Sequence, residues 1–266
     1  MIANVLSIAG SDPSGGAGIQ ADIKSISANG AYAMAALTAL TAQNTQGVSG
    51  AHAAPPAFVA QQIEAVFEDI RVDAVKIGMI ATAEIAVAVA DALARHPDVP
   101  VVLDPVMVAK GGAALLAEDA VRVLRDRLLP RAAVITPNLP EAARLLDRPI
   151  ARTREDMAHQ AEALRALGAA AALVKGGHLD GGDSPDCLAS SDGVAWFEGV
   201  RTPTRNTHGT GCTLSSALAA RLAQGLPLPA ATAEAKRYVA AAIAGADALS
   251  VGRGHGPTHH FATLWR

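Results

Sequence analysis

The chain has 266 residues but only two cysteines, Cys187 and Cys212, and no Cys-x-x-Cys. Neither a disulfide framework nor a cysteine zinc site is expected, and reduced thiols fit the cytoplasm. No Gly-Lys dipeptide occurs anywhere. The Walker A motif is thus absent, and with it a P-loop NTPase. His-Glu-x-x-His and Gly-x-Ser-x-Gly are also missing, which removes the zincin and α/β-hydrolase readings. Charge of either sign is nearly balanced, with 22 Lys and Arg against 25 Asp and Glu. The basic excess of a nucleic-acid binder is lacking. The start, Met1-Ile2-Ala3-Asn4-Val5, has no basic n-region, so no signal peptide is expected. Apolar stretches are interrupted by Asp91 or by glycine before they reach the length of a membrane span.

What is present is a core. Half the residues are hydrophobic and 18% are charged, enough apolar surface for a large buried interior. Short β-branched runs alternate with longer Ala/Leu-rich segments. Strands are expected at 5–9, 35–42, 74–77, 101–103, 134–135 and 172–174, and around 187–189 and 194–197. Helices are expected at 19–29, 58–69, 82–95, 118–129, 140–146, 154–167, 209–223 and 229–249. The inner face of the second helix is read as Phe58, Ile63, Val66 and Phe67. A polar loop is expected over 180–192, and a mobile one around Lys110-Gly111-Gly112. Alternating strands and helices predict a parallel sheet covered on both faces, in one domain over 1–266. In such sheets ligands bind beyond the carboxyl ends of the strands. Ser11-Asp12, Gln43-Asn44, Lys76, Asp104, Asn138 and Lys175 all fall there.

Two glycine-rich segments carry chemistry. Gly10-Ser11-Asp12-Pro13-Ser14-Gly15-Gly16-Ala17-Gly18 lies between a strand and a helix, where glycines let backbone approach a ligand. Its spacing is not that of a dinucleotide fold, and a simple turn is the competing explanation. Asn206-Thr207-His208-Gly209-Thr210-Gly211-Cys212-Thr213 opens a long helix. Amides at that helix start suit phosphoryl charge, and a thiol at Cys212 is expected to have a lowered pKa. The competing reading there is a helix cap with a small buried cysteine.

These segments form part of a longer series. Gly10 to Asp22, Thr41-Ala42-Gln43-Asn44-Thr45, Lys76-Ile77-Gly78-Met79 and Asp104-Pro105-Val106-Met107 come first. Thr136 to Glu141, Val174 to His178, Thr207 to Cys212 and Gly254 to His260 follow in order. The series resembles the hydroxymethylpyrimidine/phosphomethylpyrimidine kinases of the ribokinase-like superfamily over essentially the whole chain. The resemblance implies a three-layer α/β/α fold with a mainly parallel central sheet, a homodimer in the cytoplasm, and Mg-ATP as cofactor. Its implied substrates are hydroxymethylpyrimidine and its monophosphate, on the way to thiamine, with no nucleic acid or membrane as partner.

It also implies roles for particular residues. Gln43 would read the pyrimidine, because a primary amide offers a donor and an acceptor side by side, as when Gln reads adenine. Gly10 and Asp22 would lie near the hydroxymethyl end, and Met79 and Val106 would wall the ring. Gly209, Thr210, Gly211 and Cys212 would form the anion hole, with Cys212 as base through its thiolate. Lys175 would approach the ATP phosphates, and Thr210, Asn138 and Glu141 would help hold the nucleotide. Asp104 and Glu141 are the candidate metal residues, Glu141 through water. Lys76 is read as a partner for a carboxylate, and His208 is left out of the catalytic set. His255, His259 and His260 are assigned to packing or dimer contact. The rivals are a pyridoxal or pyridoxine kinase, whose ring complements Gln43 less well, and a non-catalytic pyrimidine-binding protein, which would not need the phosphate machinery.

Overall fold

The computed structural model describes residues 1–107 and 116–265; the loop around Lys110 lies outside the described residues. Apolar β-branched runs become buried strands: β1 (Asn4–Ala9), β5 (Ala74–Ile77), β6 (Val101–Leu103), β7 (Val134–Ile135) and β8 (Ala172–Lys175). Together with β2 (Tyr32–Leu37) they pair in parallel. A hairpin of β9 (Asp186–Ser190) and β10 (Gly193–Phe197) adds two antiparallel strands at one edge. The eight-stranded order is β10-β9-β8-β7-β6-β5-β1-β2.

Both faces are covered, as near-continuous hydrophobic strands require. On one face pack α2 (Pro56–Asp69), α3 (Ala83–Ala94), α4 (Glu118–Val123), α5 (Leu139–Leu146) and α6 (Arg154–Ala166). On the other pack α1 (Gly18–Ala28), α7 (Thr210–Ala223) and α8 (Leu228–Ala244). Side chains alternate accordingly: Leu6 and Ile8 face the first layer, Val5 the second. This is the expected three-layer α/β/α arrangement with a mainly parallel sheet. Local sequence sets the helix starts. Thr82 accepts the Ile85 amide, and Asn138/Glu141 and Thr153/Asp156 form capping boxes.

Four expectations change. The strand read over 35–42 is two strands. β2 ends at Leu37, whose amide and carbonyl are both satisfied by the Gln62 side chain. After buried Thr38 the chain leaves the sheet as β3 (Ala39–Asn44), which among the described residues pairs only with β4 (Gly47–Ala53), in a separate antiparallel flap. The small residues of β4 give no apolar alternation to read, so that strand was not foreseen. In α2, Val59 and Ile63 point inward and Phe58 is 54% exposed. The helix expected over 118–129 stops at Val123, widens over Leu124–Leu128 and closes in a short turn at Leu129–Arg131. Pro130 can neither donate to nor clear the carbonyl one turn back. The last helix ends at Ala244 on Gly245, not at 249.

Candidate active site

One cavity of about 580 Å³ opens at the carboxyl ends of the parallel strands. It gathers Gly10, Gln43, Met79, Asp104, Val106, Asn138, Glu141, Lys175, Gly209, Thr210, Gly211 and Cys212, which the sequence scatters over 200 positions. Each arrives on a strand end, on the flap or on a helix start, which is where a parallel sheet leaves polar backbone and side chains unpaired.

The glycine loop after β1 folds onto the start of α7. Gly209 has φ +78°, and a side chain there would sit 1.7 Å from the Gly16 carbonyl oxygen. Only glycine fits both the conformation and the approach. The first-turn amides of Gly211 and Cys212 have no acceptor within the helix, and both residues line the cavity. The Thr210 hydroxyl donates to the Thr207 carbonyl at 2.7 Å, so its side chain offers an incoming group only lone pairs. Gly211 is less constrained: a Cβ there would lie 3.3 Å from Lys175 Nζ, the mobile end of a long side chain.

Lys175 Nζ donates to Asp104 Oδ1 at 3.1 Å. Asp104 is buried and also accepts from Ser215 Oγ at 3.2 Å and Thr136 Oγ1 at 3.3 Å. Burial works against the charge on Lys175, but Asp104 and Glu141 outweigh it and hold the ammonium above its ordinary pKa. Glu141 accepts the Asn138 amide at 2.8 Å while Asn138 Oδ1 accepts the Glu141 amide at 2.9 Å. Burial pushes Glu141 up to about 7; Lys175 pulls it down and Asp104 pushes it further up. Since capping engages one oxygen of each side chain, a nucleotide or metal can reach only what remains.

Two assignments need correction. Asp22 does not reach the cavity. It is fully buried beneath it, accepting from Lys76 Nζ at 2.8 and 2.9 Å, from Ser7 Oγ at 2.6 Å and from Ser216 Oγ at 2.7 Å. Three donors making four hydrogen bonds occupy its carboxylate, which leaves nothing for a substrate. Lys76, as expected, is a carboxylate partner: burial opposes its charge, and Asp22 with its neighbours raises its pKa despite that. The Cys212 thiol is not lowered either. Burial pushes it up to about 12; Asp22 and Asp104 add to the rise, and Lys76 and the Gly18 amide oppose it. The helix start is present as expected, but two buried carboxylates and desolvation outweigh it.

At the other end of the cavity stands Gln43, on the flap. Opposite Ala42 and Gln43 the register slips by one residue, with Ser49 of β4 as the extra, unpaired residue, and such a bulge increases the local twist of the hairpin. The flap is tied down by Thr41, whose hydroxyl donates to the Ser11 carbonyl at 2.9 Å, and by the His255 amide donating to the Thr45 carbonyl at 2.9 Å. Met79 lies against Gly10, where any Cβ would collide with its methyl group. Between flap and glycine loop stands a pair the candidate set left out: His208 Nε2 lies 2.8 Å from Asp12 Oδ2. Asp12 also accepts from the Ser14 amide and hydroxyl and the Ala17 amide. Burial would raise its pKa, but His208 and Ser14 bring it down to about 2. Asp12 lies in the first glycine-rich segment and His208 in the second, so each was visible as a motif residue, but their pairing across 196 positions was not.

Among the described residues, no three His, Cys, Asp or Glu side chains cluster to hold a metal. His259 and His260 are buried, and their backbones tie the C-terminal segment to α8: His259 donates its amide to the Ala242 carbonyl, and the His260 carbonyl accepts from Tyr238.

The family described as phosphomethylpyrimidine kinase matches residues 12–259. The hydroxymethylpyrimidine/phosphomethylpyrimidine kinase of Salmonella typhimurium is 53% identical over 98% of both chains. A thiamine biosynthesis bifunctional protein of Geobacter sulfurreducens is 54% identical over 97% of this chain and 52% of its own. The structure of the Staphylococcus aureus pyridoxal kinase with AMP-PCP and pyridoxal superposes with a TM-score of 0.91 at 32% identity, over 99% of this chain and 95% of that one.

Proposed function

The chain belongs to the phosphomethylpyrimidine kinase family, and from that premise we propose how its cavity carries out the family's reaction. The enzyme phosphorylates hydroxymethylpyrimidine and then its monophosphate, with ATP as donor, in thiamine biosynthesis. The observation that carries the mechanism is the continuity of one cavity from Gln43 to Lys175 and the start of α7. A ring held at Gln43, between Met79 and Val106, points its 5-substituent toward the amide cradle. The hydroxyl oxygen attacks the γ-phosphorus, the bond from phosphorus to the bridging oxygen breaks, and ADP leaves. The Gly211 and Cys212 amides and Lys175 meet the charge on the transferring group, which carries most of the acceleration in such transfers.

Cys212 takes the hydroxyl proton in the first step. With its pKa near 12, the thiolate is scarce at neutral pH but a strong base when formed. In the second step the nucleophile is a phosphate, whose second pKa of about 6 leaves it ionised without help.

Magnesium fits the buried carboxylates of Asp104 and Glu141, since it takes few protein ligands and keeps several waters; when bound it neutralises phosphate charge. We place the enzyme in the cytoplasm, where its two free cysteines stay reduced. No helix among the described residues is long and apolar enough to cross a membrane. We also assign it a single domain over 1–266 and a homodimeric state. Leu40 on the flap and Phe58 on α2, each 54% exposed, offer apolar surface to a second copy.

The test is to incubate the purified protein with Mg-ATP and hydroxymethylpyrimidine, its monophosphate or pyridoxal, and identify products by mass. Mono- and diphosphate from the pyrimidine, with little from pyridoxal, is the expected result. Pyridoxal phosphate with an inert pyrimidine would overturn the substrate while leaving the phosphate end in place.

A further inference from the structure

His208 Nε2 lies 2.8 Å from Asp12 Oδ2 and 3.3 Å from the Gln43 amide nitrogen. These two contacts constrain each other. Every other partner of the Asp12 carboxylate is a donor, namely the Ser14 amide and hydroxyl and the Ala17 amide. Asp12 is therefore an acceptor throughout, and His208 Nε2 must carry the hydrogen that bridges them. A nitrogen that carries a hydrogen cannot also accept one from Gln43. The other side of Gln43 has the same conflict. Its oxygen lies 3.3 Å from Thr41 Oγ1, but the hydrogen of that hydroxyl goes to the Ser11 carbonyl at 2.9 Å. The oxygen and nitrogen of a primary amide have the same shape, so hydrogen-bond chemistry decides between its two orientations. Turning the amide over removes both conflicts: Oε1 then lies 3.3 Å from His208 Nε2, whose hydrogen goes chiefly to Asp12, and shares that hydrogen as the longer arm of a bifurcated hydrogen bond, and Nε2 of Gln43 donates to Thr41 Oγ1.

We propose that His208, held by Asp12, and Thr41 are positioning residues that lock the Gln43 amide with its oxygen toward His208, and so set the enzyme's preference for a 4-aminopyrimidine. In that orientation one lone pair of Oε1 and one hydrogen of Nε2 remain free. They complement an exocyclic amino group beside an unprotonated ring nitrogen. They oppose the reverse order, a ring oxo group beside a ring N–H. The inference rests on the pyrimidine kinase reading and names what makes that site selective.

The test compares hydroxymethylpyrimidine with its 4-oxo analogue, in which the neighbouring ring nitrogen carries hydrogen. The wild-type enzyme is expected to prefer the amino form by at least ~100-fold in kcat/KM. His208→Ala frees the amide to turn and should reduce that ratio by ~10-fold or more. His208→Gln, which returns a donor, should restore most of it. Thr41→Val removes the opposite anchor and should also lower the ratio, so it carries the test if His208→Ala does not fold. A His208 that is merely structural would lower both substrates together; an unchanged ratio in His208→Ala and Thr41→Val overturns the inference and leaves the function standing. A wild-type enzyme inert toward the amino pyrimidine overturns the function itself, and the inference with it.

Discussion

The two ends of the cavity are built differently. The phosphate end is made of backbone and buried charge: the start of α7, Lys175 against Asp104, and Glu141 capping α5. It sits on the central sheet. The ring end sets Gln43, on a two-stranded flap that among the described residues pairs with no strand of that sheet, against Met79 and Val106 beside the strand ends. Fixed amides suit charge that develops at one place in every turnover. A side-chain amide on a separate flap suits discrimination among rings, which a change of one residue can alter. The same phosphate end can therefore serve different rings, consistent with the close superposition on a pyridoxal kinase at only 32% identity.

The largest effect should come from Gly209→Ala. Its side chain would occupy the position of the Gly16 carbonyl at a left-handed backbone, pushing apart the two glycine loops. We expect kcat to fall at least ~100-fold, with a melting temperature several degrees lower, in a coupled ADP assay and a thermal scan. A variant that keeps its activity would show that the loop contact does not shape the phosphate end.

Cys212→Ala comes next and separates the two steps. The first phosphorylation should slow by ~10- to 100-fold and the second far less, followed by resolving mono- and diphosphate in time. The pH dependence sharpens this. Because Cys212 titrates near 12, its thiolate fraction grows about tenfold per pH unit below that value. The first step should accelerate from pH 7 to 9.5, and the second should stay flat once the substrate phosphate is ionised. Equal slowing of both steps contradicts the base assignment.

Glu141 gives a smaller effect, confined to the phosphate end. Its pKa in the fold is raised to about 7, so the protonated form is favoured by folding. The stability this contributes is present below the ordinary carboxylate value and is lost as pH rises through 7. The free enzyme should therefore melt lower at pH 8 than at pH 6.5, and Glu141→Gln should flatten that difference while lowering kcat.

The smallest effect touches neither end. Burial holds His260 down to about 4. Its contribution is present above the usual histidine pKa and is lost as pH falls toward 4. His260→Asn should soften the loss of thermal stability between pH 6.5 and 4.5 and leave kinetics at pH 7.5 unchanged.

Much of this architecture was legible in the sequence, because buried parallel strands such as Val101–Leu103 are continuous apolar runs with polar residues directly after them. The flap was not, since β4 is built of small residues without apolar alternation and the hairpin turn is held by partners far away in the chain, as Thr45 is by Gly254. The site's members were legible as motifs, but their electrostatics were not. Asp22 looks like a substrate residue until Lys76, 54 positions away, is seen to occupy it. Cys212 has the helix start that lowers a thiol, and only the fold supplies the burial, with Asp22 and Asp104 adding to it, that reverses the direction. Asp12 and His208 are separated by 196 positions, and neither residue alone announces the pair.

The division of labour between the two ends is tested most directly by steady-state kinetics of Gln43→Ala and Lys175→Ala side by side, with both substrates varied. Gln43→Ala should raise the pyrimidine KM by ~10-fold or more with the KM for ATP unchanged. Lys175→Ala should lower kcat by ~100-fold or more with the pyrimidine KM nearly unchanged. If both variants instead move the same constant for the same substrate, the two ends do not act separately and the account is wrong.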